Sequence, residues 1–325
     1  MRSLGHENSR ISNWLAFGLV AGTGVLMLRI SWRRWTHAII DFGRELYVPW
    51  RLSEGEVLYR DLAYFNGPLS PYLNSLVFRL AGDSYMSLVV FNIGLLAIGT
   101  WMLFRLLSRL GNRTSATMGC VLFLVIFALA DLTGFGNYNF VTPYSHEMTH
   151  ASLLSLGLFL LLGTILGQPT AWRFSGLGVL LGLIFLTKPE FFLAASMAVA
   201  IGLTLGRFRQ VHRSSGRGSP SLTDILWLIG GLLVPPLTAW VLFLVPMSPT
   251  AALRGVLGSW EYVFLDELTE LAFYRHGMGI DHPGLNLTST MLWSGILACV
   301  LGPALLAARY LGPRSGSPSW LMLAT

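Results

Sequence analysis

Three short polar stretches in an otherwise apolar chain carry residue types that can do chemistry. The first is DFGRE at 41–45, in which Asp41 and Glu45 stand four positions apart. On a helix that spacing turns both carboxylates to one side, so that one can take a proton while the other holds a metal or a hydrogen-bond partner. A solvated polar face would show the same spacing. The second is PYSHEMTH at 143–150, which contains the HExxH pattern as His146, Glu147 and His150. Spacing i, i+4 brings two imidazoles to one zinc ion while the glutamate between them polarises a water, as in a metalloprotease. No third ligand on a later helix stands out, and Asp281 and His282 are the nearest offer. A polar helix start fits these residues as well. The third stretch is Lys188, Pro189 and Glu190, which holds the single lysine of the chain. Charge at membrane depth is costly, so an ionisable pair between two apolar runs is a functional candidate. A lysine that only snorkels to the surface is the plain alternative.

The elements that must position these residues are membrane helices. The chain has 325 residues, 53% hydrophobic and only 12% charged, with a mean hydropathy of +0.60. A water-soluble domain of this length needs far more charge to cover its surface. The apolar runs are 11–28, 85–104, 114–130, 151–167, 174–187, 191–206, 225–246 and 287–308. No small-residue cleavage site follows the first, so it reads as a retained span rather than a signal peptide. Residues 174–206 could form one helix of about 50 Å, too long for a hydrocarbon core of about 30 Å. The break at Lys188, Pro189 and Glu190 instead predicts two short spans meeting at a polar elbow. The expected fold is therefore an all-α polytopic membrane protein of about eight transmembrane helices, one domain over 1–325. It has a helical first external loop over 32–84 and an amphipathic external segment over 247–286.

Charge orients the set. With the N-terminus inside, the inner segments hold 12 Lys and Arg in 52 positions and the outer segments 10 in 119. That is the direction the positive-inside rule requires, although Arg29, Arg33 and Arg34 run against it at the outer end of the first span. Of the 16 acidic residues, 14 fall outside, so carboxylate chemistry is expected on the outer face. The +6 net charge is spread over loops facing lipid, which argues against a nucleic-acid groove. Gly22, Thr23 and Gly24 lie within a span, and no strand-to-helix glycine fingerprint for a nucleotide or flavin is present. Cys120 and Cys299 each sit in an apolar run and imply no disulfide.

Taken in order, an N-terminal span, DFGRE (41–45), EGEVLYRD (54–61), NGPLSPYL (66–73) and GLIFLTKPEFFLA (182–194) resemble a known family. It is that of the polyprenyl-phosphate-dependent membrane glycosyltransferases of the GT-C fold, which include protein mannosyltransferases and the aminoarabinose transferase of lipid A. The resemblance covers roughly residues 10–200. It implies a polyprenyl-phosphate sugar donor, an acceptor hydroxyl on lipid, glycan or protein, and transfer with inversion on the outer face of the cytoplasmic (inner) membrane. It places Asp41 where the family has an acidic residue that acts as base or organises the acceptor, with Glu45 as a companion. It also gives Lys188, Arg44 and Tyr144 the donor phosphate, and lets His146, Glu147 and His150 hold a divalent metal. The family has more spans and often a C-terminal soluble domain, and the last residues, WLMLAT, read as another span cut short. Two other readings stay open: an intramembrane zinc metalloprotease built on HExxH, and a non-catalytic transport or assembly partner.

Overall fold

In lipid every backbone amide must find its partner within the chain, and helices do this segment by segment. The computed structural model describes residues 2–34, 42–129, 139–212, 221–263, 271–277 and 279–311. It is all-helical, 80% helix, with no strand among the described residues. Two compact units divide the chain, Met1–Ser259 and Trp260–Thr325.

The first unit runs α1 (Arg2–Ser31), α2 (Gly43–Ser53), α3 (Leu69–Ala81), α4 (Tyr85–Leu110) and α5 (Arg113–Leu122), which continues as a π-helical turn, Phe123–Ala128. Then come α6 (His146–Gly167), α7 (Ala171–Phe185), α8 (Pro189–His212), α9 (Leu222–Phe243) and α10 (Pro249–Leu257). The second unit holds α11 (Trp260–Val263), α12 (Ala272–Gly277) and α13 (Pro283–Leu311). Five stretches in the first unit are long and apolar enough to cross a membrane: Trp14–Ser31, Tyr85–Leu110, His146–Gly167, Pro189–Gly206 and Leu222–Phe243. Two shorter apolar helices, Arg113–Ala128 and Ala171–Phe185, accompany them. The chain is a helical membrane protein. The expected elbow lies between α7 and α8, where Pro189 opens the new helix because its missing amide is one that a first turn leaves unpaired anyway. Of the expected amphipathic segment over 247–286, residues 264–270 and 278 lie outside the described residues.

Local chemistry sets the helix starts. Ser84 caps α4 by accepting from the Met86 amide, Asn112 caps α5 through Ser115, and Ser248 caps α10 through Ala251. Side-chain size then sets the packing. Helix α7 carries Gly178 and Gly182 on the face it turns to α9, where a Cβ at Gly178 would collide with the Leu228 carbonyl and one at Gly182 with that of Leu232. Gly231 of α9 answers them against the Ser175 carbonyl. Lipid tails are as apolar as leucine, so membrane helices gain by such close backbone approach more than by burying larger side chains. Gly182→Val is therefore expected to lower the unfolding temperature, corresponding to about 1–3 kcal/mol of overpacking. Gly230→Val, where a Cβ meets open space, is the matched control in a thermal unfolding series.

Two apolar clusters hold the bundle. One joins α6, α7 and α8 through Leu158, Leu162, Phe174, Leu181 and Ala195. The other joins α1, α4 and the π turn through Met27, Val89, Leu96 and Leu124. At one end of the bundle the polar segments gather. The loop before α3 docks on the elbow, with the Gly67 amide on the Thr187 carbonyl at 2.9 Å and the Leu69 amide on the Leu186 carbonyl at 3.1 Å. Only glycine fits at 67, since a Cβ there would strike the Leu186 carbonyl. Tyr59 braces the same loop through a 2.5 Å hydrogen bond to the Asn66 carbonyl. Its ring also packs on Phe243, at the end of α9.

Candidate functional site

Helix α2 delivers Glu45 to the first turn of α6. Glu45 is buried, 4% exposed, so it does not sit on a solvated face. Its Oε2 accepts from the His146 backbone amide at 3.1 Å and lies 2.6 Å from His146 Nδ1. Its Oε1 accepts from Arg44 Nη2 at 2.6 Å and Nε at 3.1 Å. The side chain of Ser145, the N-cap of α6, does not cap the helix. The carboxylate brought by α2 takes that place, and a negative charge at a helix N-terminus is favoured. Burial alone would raise the Glu45 pKa, but the hydrogen bond from His146, together with the charge and hydrogen bond of Arg44, holds it below its ordinary value.

His146 is fixed from its other side as well. Its Nε2 lies 3.0 Å from Asn92 Nδ2, and the same Asn92 amide donates to the Val141 carbonyl at 2.9 Å. Asn92 has only donors at that atom, so Nε2 accepts and Nδ1 carries the proton toward Glu45. Glu147 accepts from the Tyr64 hydroxyl and, at 2.7 Å, from Ser145 Oγ. His150 Nδ1 pairs with Ser70 Oγ of α3 at 2.9 Å, while its Nε2 has no partner among the described residues although His150 is buried.

The cations lie around this cluster. Arg44 reaches from Glu45 to the Tyr144 carbonyl at 3.1 Å and spreads over the rings of Phe65 and Tyr64, at 5.4 and 6.0 Å. Lys188, on the elbow, is half-buried and close enough to Glu147 to act on it electrostatically. Among the described residues its side chain makes no hydrogen bond and no ion pair. The Tyr144 ring is exposed and its hydroxyl contacts the Met148 sulfur at 3.2 Å.

The structure thus brings together Glu45, Arg44, Tyr144, His146, Glu147, His150 and Lys188. Asp41 lies outside the described residues. The two imidazoles of the HExxH pattern do stack along α6, ring centres 5.7 Å apart, but both nitrogens of His146 are engaged by Glu45 and Asn92. Neither is left to meet a metal shared with His150, and no set of three or more His, Cys, Asp or Glu side chains is placed to hold a metal among the described residues. As arranged, these residues do not fit a zinc centre. Three partners escaped the sequence reading: Asn92, Tyr64 and Ser70. Asn92 carried a signal, being a buried amide inside an apolar span, where a polar side chain has to find a partner on another helix. Tyr64 and Ser70 carried none beyond their place in a turn-rich stretch. The chain matches none of the protein-family models, curated proteins or solved structures with which it was compared.

Proposed function

We propose that the chain is a membrane glycosyltransferase that moves a sugar from a polyprenyl-phosphate donor to an acceptor hydroxyl, with inversion, on the outer face of the cytoplasmic membrane. In this reading α1, α4, α5 with its π turn, α6, α7, α8, α9 and α13 are eight crossings. The observation that carries the reading is Lys188 at the polar end, whose side chain pairs with none of the described residues. There Arg44 and the loop at Asn66, Gly67 and Pro68 come together with it, so the stretches that carry the family resemblance meet in space. A cation left unpaired among the described residues favours an anion that arrives and leaves, such as a phosphate.

In the reaction the acceptor oxygen attacks the anomeric carbon while the bond from that carbon to the phosphate oxygen breaks. The acceptor proton goes to the carboxylate of Asp41, and the electron pair of the broken bond leaves with the polyprenyl phosphate. Lys188 stabilises the charge that builds on that phosphate. Glu45, buried and turned to His146, acts as a positioning residue that locks α2 to α6. Membrane lipid surrounds the site and supplies the donor, and the acceptor is a lipid, glycan or protein hydroxyl. No step passes through a metal.

The test is mass analysis of surface lipids and glycans in a deletion strain carrying the wild-type chain or Asp41→Asn. The wild type is expected to restore a glycosylated product that Asp41→Asn lacks at equal membrane yield. Full restoration by Asp41→Asn would overturn the reading in favour of a non-catalytic partner.

A further inference from the structure

We infer that the cavity between α2, α3 and the start of α4 binds an organic ammonium group, supplied by the amine-bearing headgroup of a membrane lipid. The cavity measures about 270 Å³ and is lined by four aromatic residues, Tyr47, Trp50, Phe78 and Tyr85, together with Asp83, which is exposed. It falls just below the roughly 300–1,000 Å³ of drug-sized sites, which suits one small headgroup. Tyr47 and Trp50 meet edge to face, centres 6.1 Å apart, and remain 52% and 38% exposed. Aromatic residues grouped around a small open space suit a cation, which a ring face attracts, and choline-type ammonium groups are held this way.

Charge points to the same ligand. Asp83 makes no hydrogen bond and no ion pair among the described residues. It precedes Ser84, the N-cap of α4, where the helix dipole favours an acid; that accounts for the acid but not for the rings around it. The nearby arginines are already engaged. Arg51 pairs with Glu56 while lying over the Trp50 ring, and Arg79 donates to the Leu52 carbonyl at 2.8 Å. Neither lines the cavity, so a chain of net charge +6 keeps an acidic wall here. Depth names the source of the ammonium. Tyr85 is the first residue of the Tyr85–Leu110 span, which puts the cavity at the level of lipid headgroups. None of this rests on glycosyl transfer.

The full chain in nanodiscs of phosphatidylglycerol alone is titrated with radiolabelled choline as the probe, by equilibrium dialysis. Saturable binding is expected, weakened at least tenfold by Asp83→Asn and by Trp50→Leu and retained by Asp83→Glu and Trp50→Phe. In discs containing phosphatidylethanolamine, choline binding should fall, and native mass spectrometry should find phosphatidylethanolamine held by the wild type and lost from Asp83→Asn. Absence of saturable choline binding, or binding unchanged by Asp83→Asn, overturns the site. Choline binding that phosphatidylethanolamine does not displace overturns the lipid source. Saturable methyl glucoside binding unaffected by Asp83→Asn, in place of choline binding, assigns a sugar instead. Thermal unfolding of each variant separates lost binding from lost fold, and if Asp83→Asn unfolds, Trp50→Leu decides.

Discussion

Lys188→Ala is expected to lower sugar transfer by about 10²–10³-fold while the amount of folded protein in the membrane stays unchanged, because loss of one charge-stabilising donor costs about that much. The two halves of this expectation come from one observation. Lys188 makes no ion pair or hydrogen bond among the described residues, so its removal breaks no pairing described there and is expected to exact little stability. Its effect is reserved for an anion that is present only during reaction, in a setting where a charge is worth more than in water. Lys188→Arg keeps the charge but exchanges a compact ammonium for a planar fork, so partial activity is expected. Transfer assays on membranes of equal protein content, with detergent-solubility profiles alongside, measure both halves. Full activity in the alanine variant would remove Lys188 from the mechanism, whereas equal loss of activity and of folded protein would make it structural.

Glu45→Ala should be the most destabilising single change at the polar end, by about 1–3 kcal/mol, since it takes a buried acceptor away from several donors at once. Three groups lose their acceptor at once: the Arg44 guanidinium, His146 Nδ1 and the first amide of α6. Glu45→Gln keeps the shape and loses the charge, so it should fall between alanine and wild type. Acidity gives a second readout. The folded-state pKa of Glu45 is depressed below 4.5, because His146 and Arg44 outweigh burial. Its contribution is therefore fully present above the unfolded value and is lost as pH falls through the folded one. The gap in unfolding temperature between wild type and Glu45→Gln should stay constant from about pH 8 to about pH 5 and close below about pH 4.5. A gap that widens on acidification would contradict the assigned pairing.

Much of this arrangement was legible in the sequence because membranes simplify the code. Apolar runs of about 20 residues announce helices, and a proline flanked by charges announces the elbow that α7 and α8 form. The polar stretches at 41–45, 143–150 and 188–190 stood out against that background, and the structure gathers their described residues at one end. What spacing could not supply was the partner of each residue. Glu45 lies 101 positions from His146, and nothing local in either stretch specifies their pairing. The HExxH pattern shows the same limit from the other direction. Its i, i+4 spacing does align the two imidazoles, but Asn92 and Glu45 come from other helices and take both nitrogens of His146. Small residues were equally silent. The collision distances that make Gly178, Gly182 and Gly67 obligatory exist only once backbones from distant parts of the chain approach.

The joint at Gly67 also limits how this end of the molecule can move. Two main-chain hydrogen bonds, to Leu186 and Thr187, tie the start of α3 to the residues just ahead of Lys188, and the missing side chain leaves no compliant layer between them. Loop and elbow are therefore joined main chain to main chain at this point. The seam between α2 and α6 differs in kind: it rests on the Glu45 side chain, which accepts from the His146 amide and imidazole, where the joint at Gly67 is main chain to main chain.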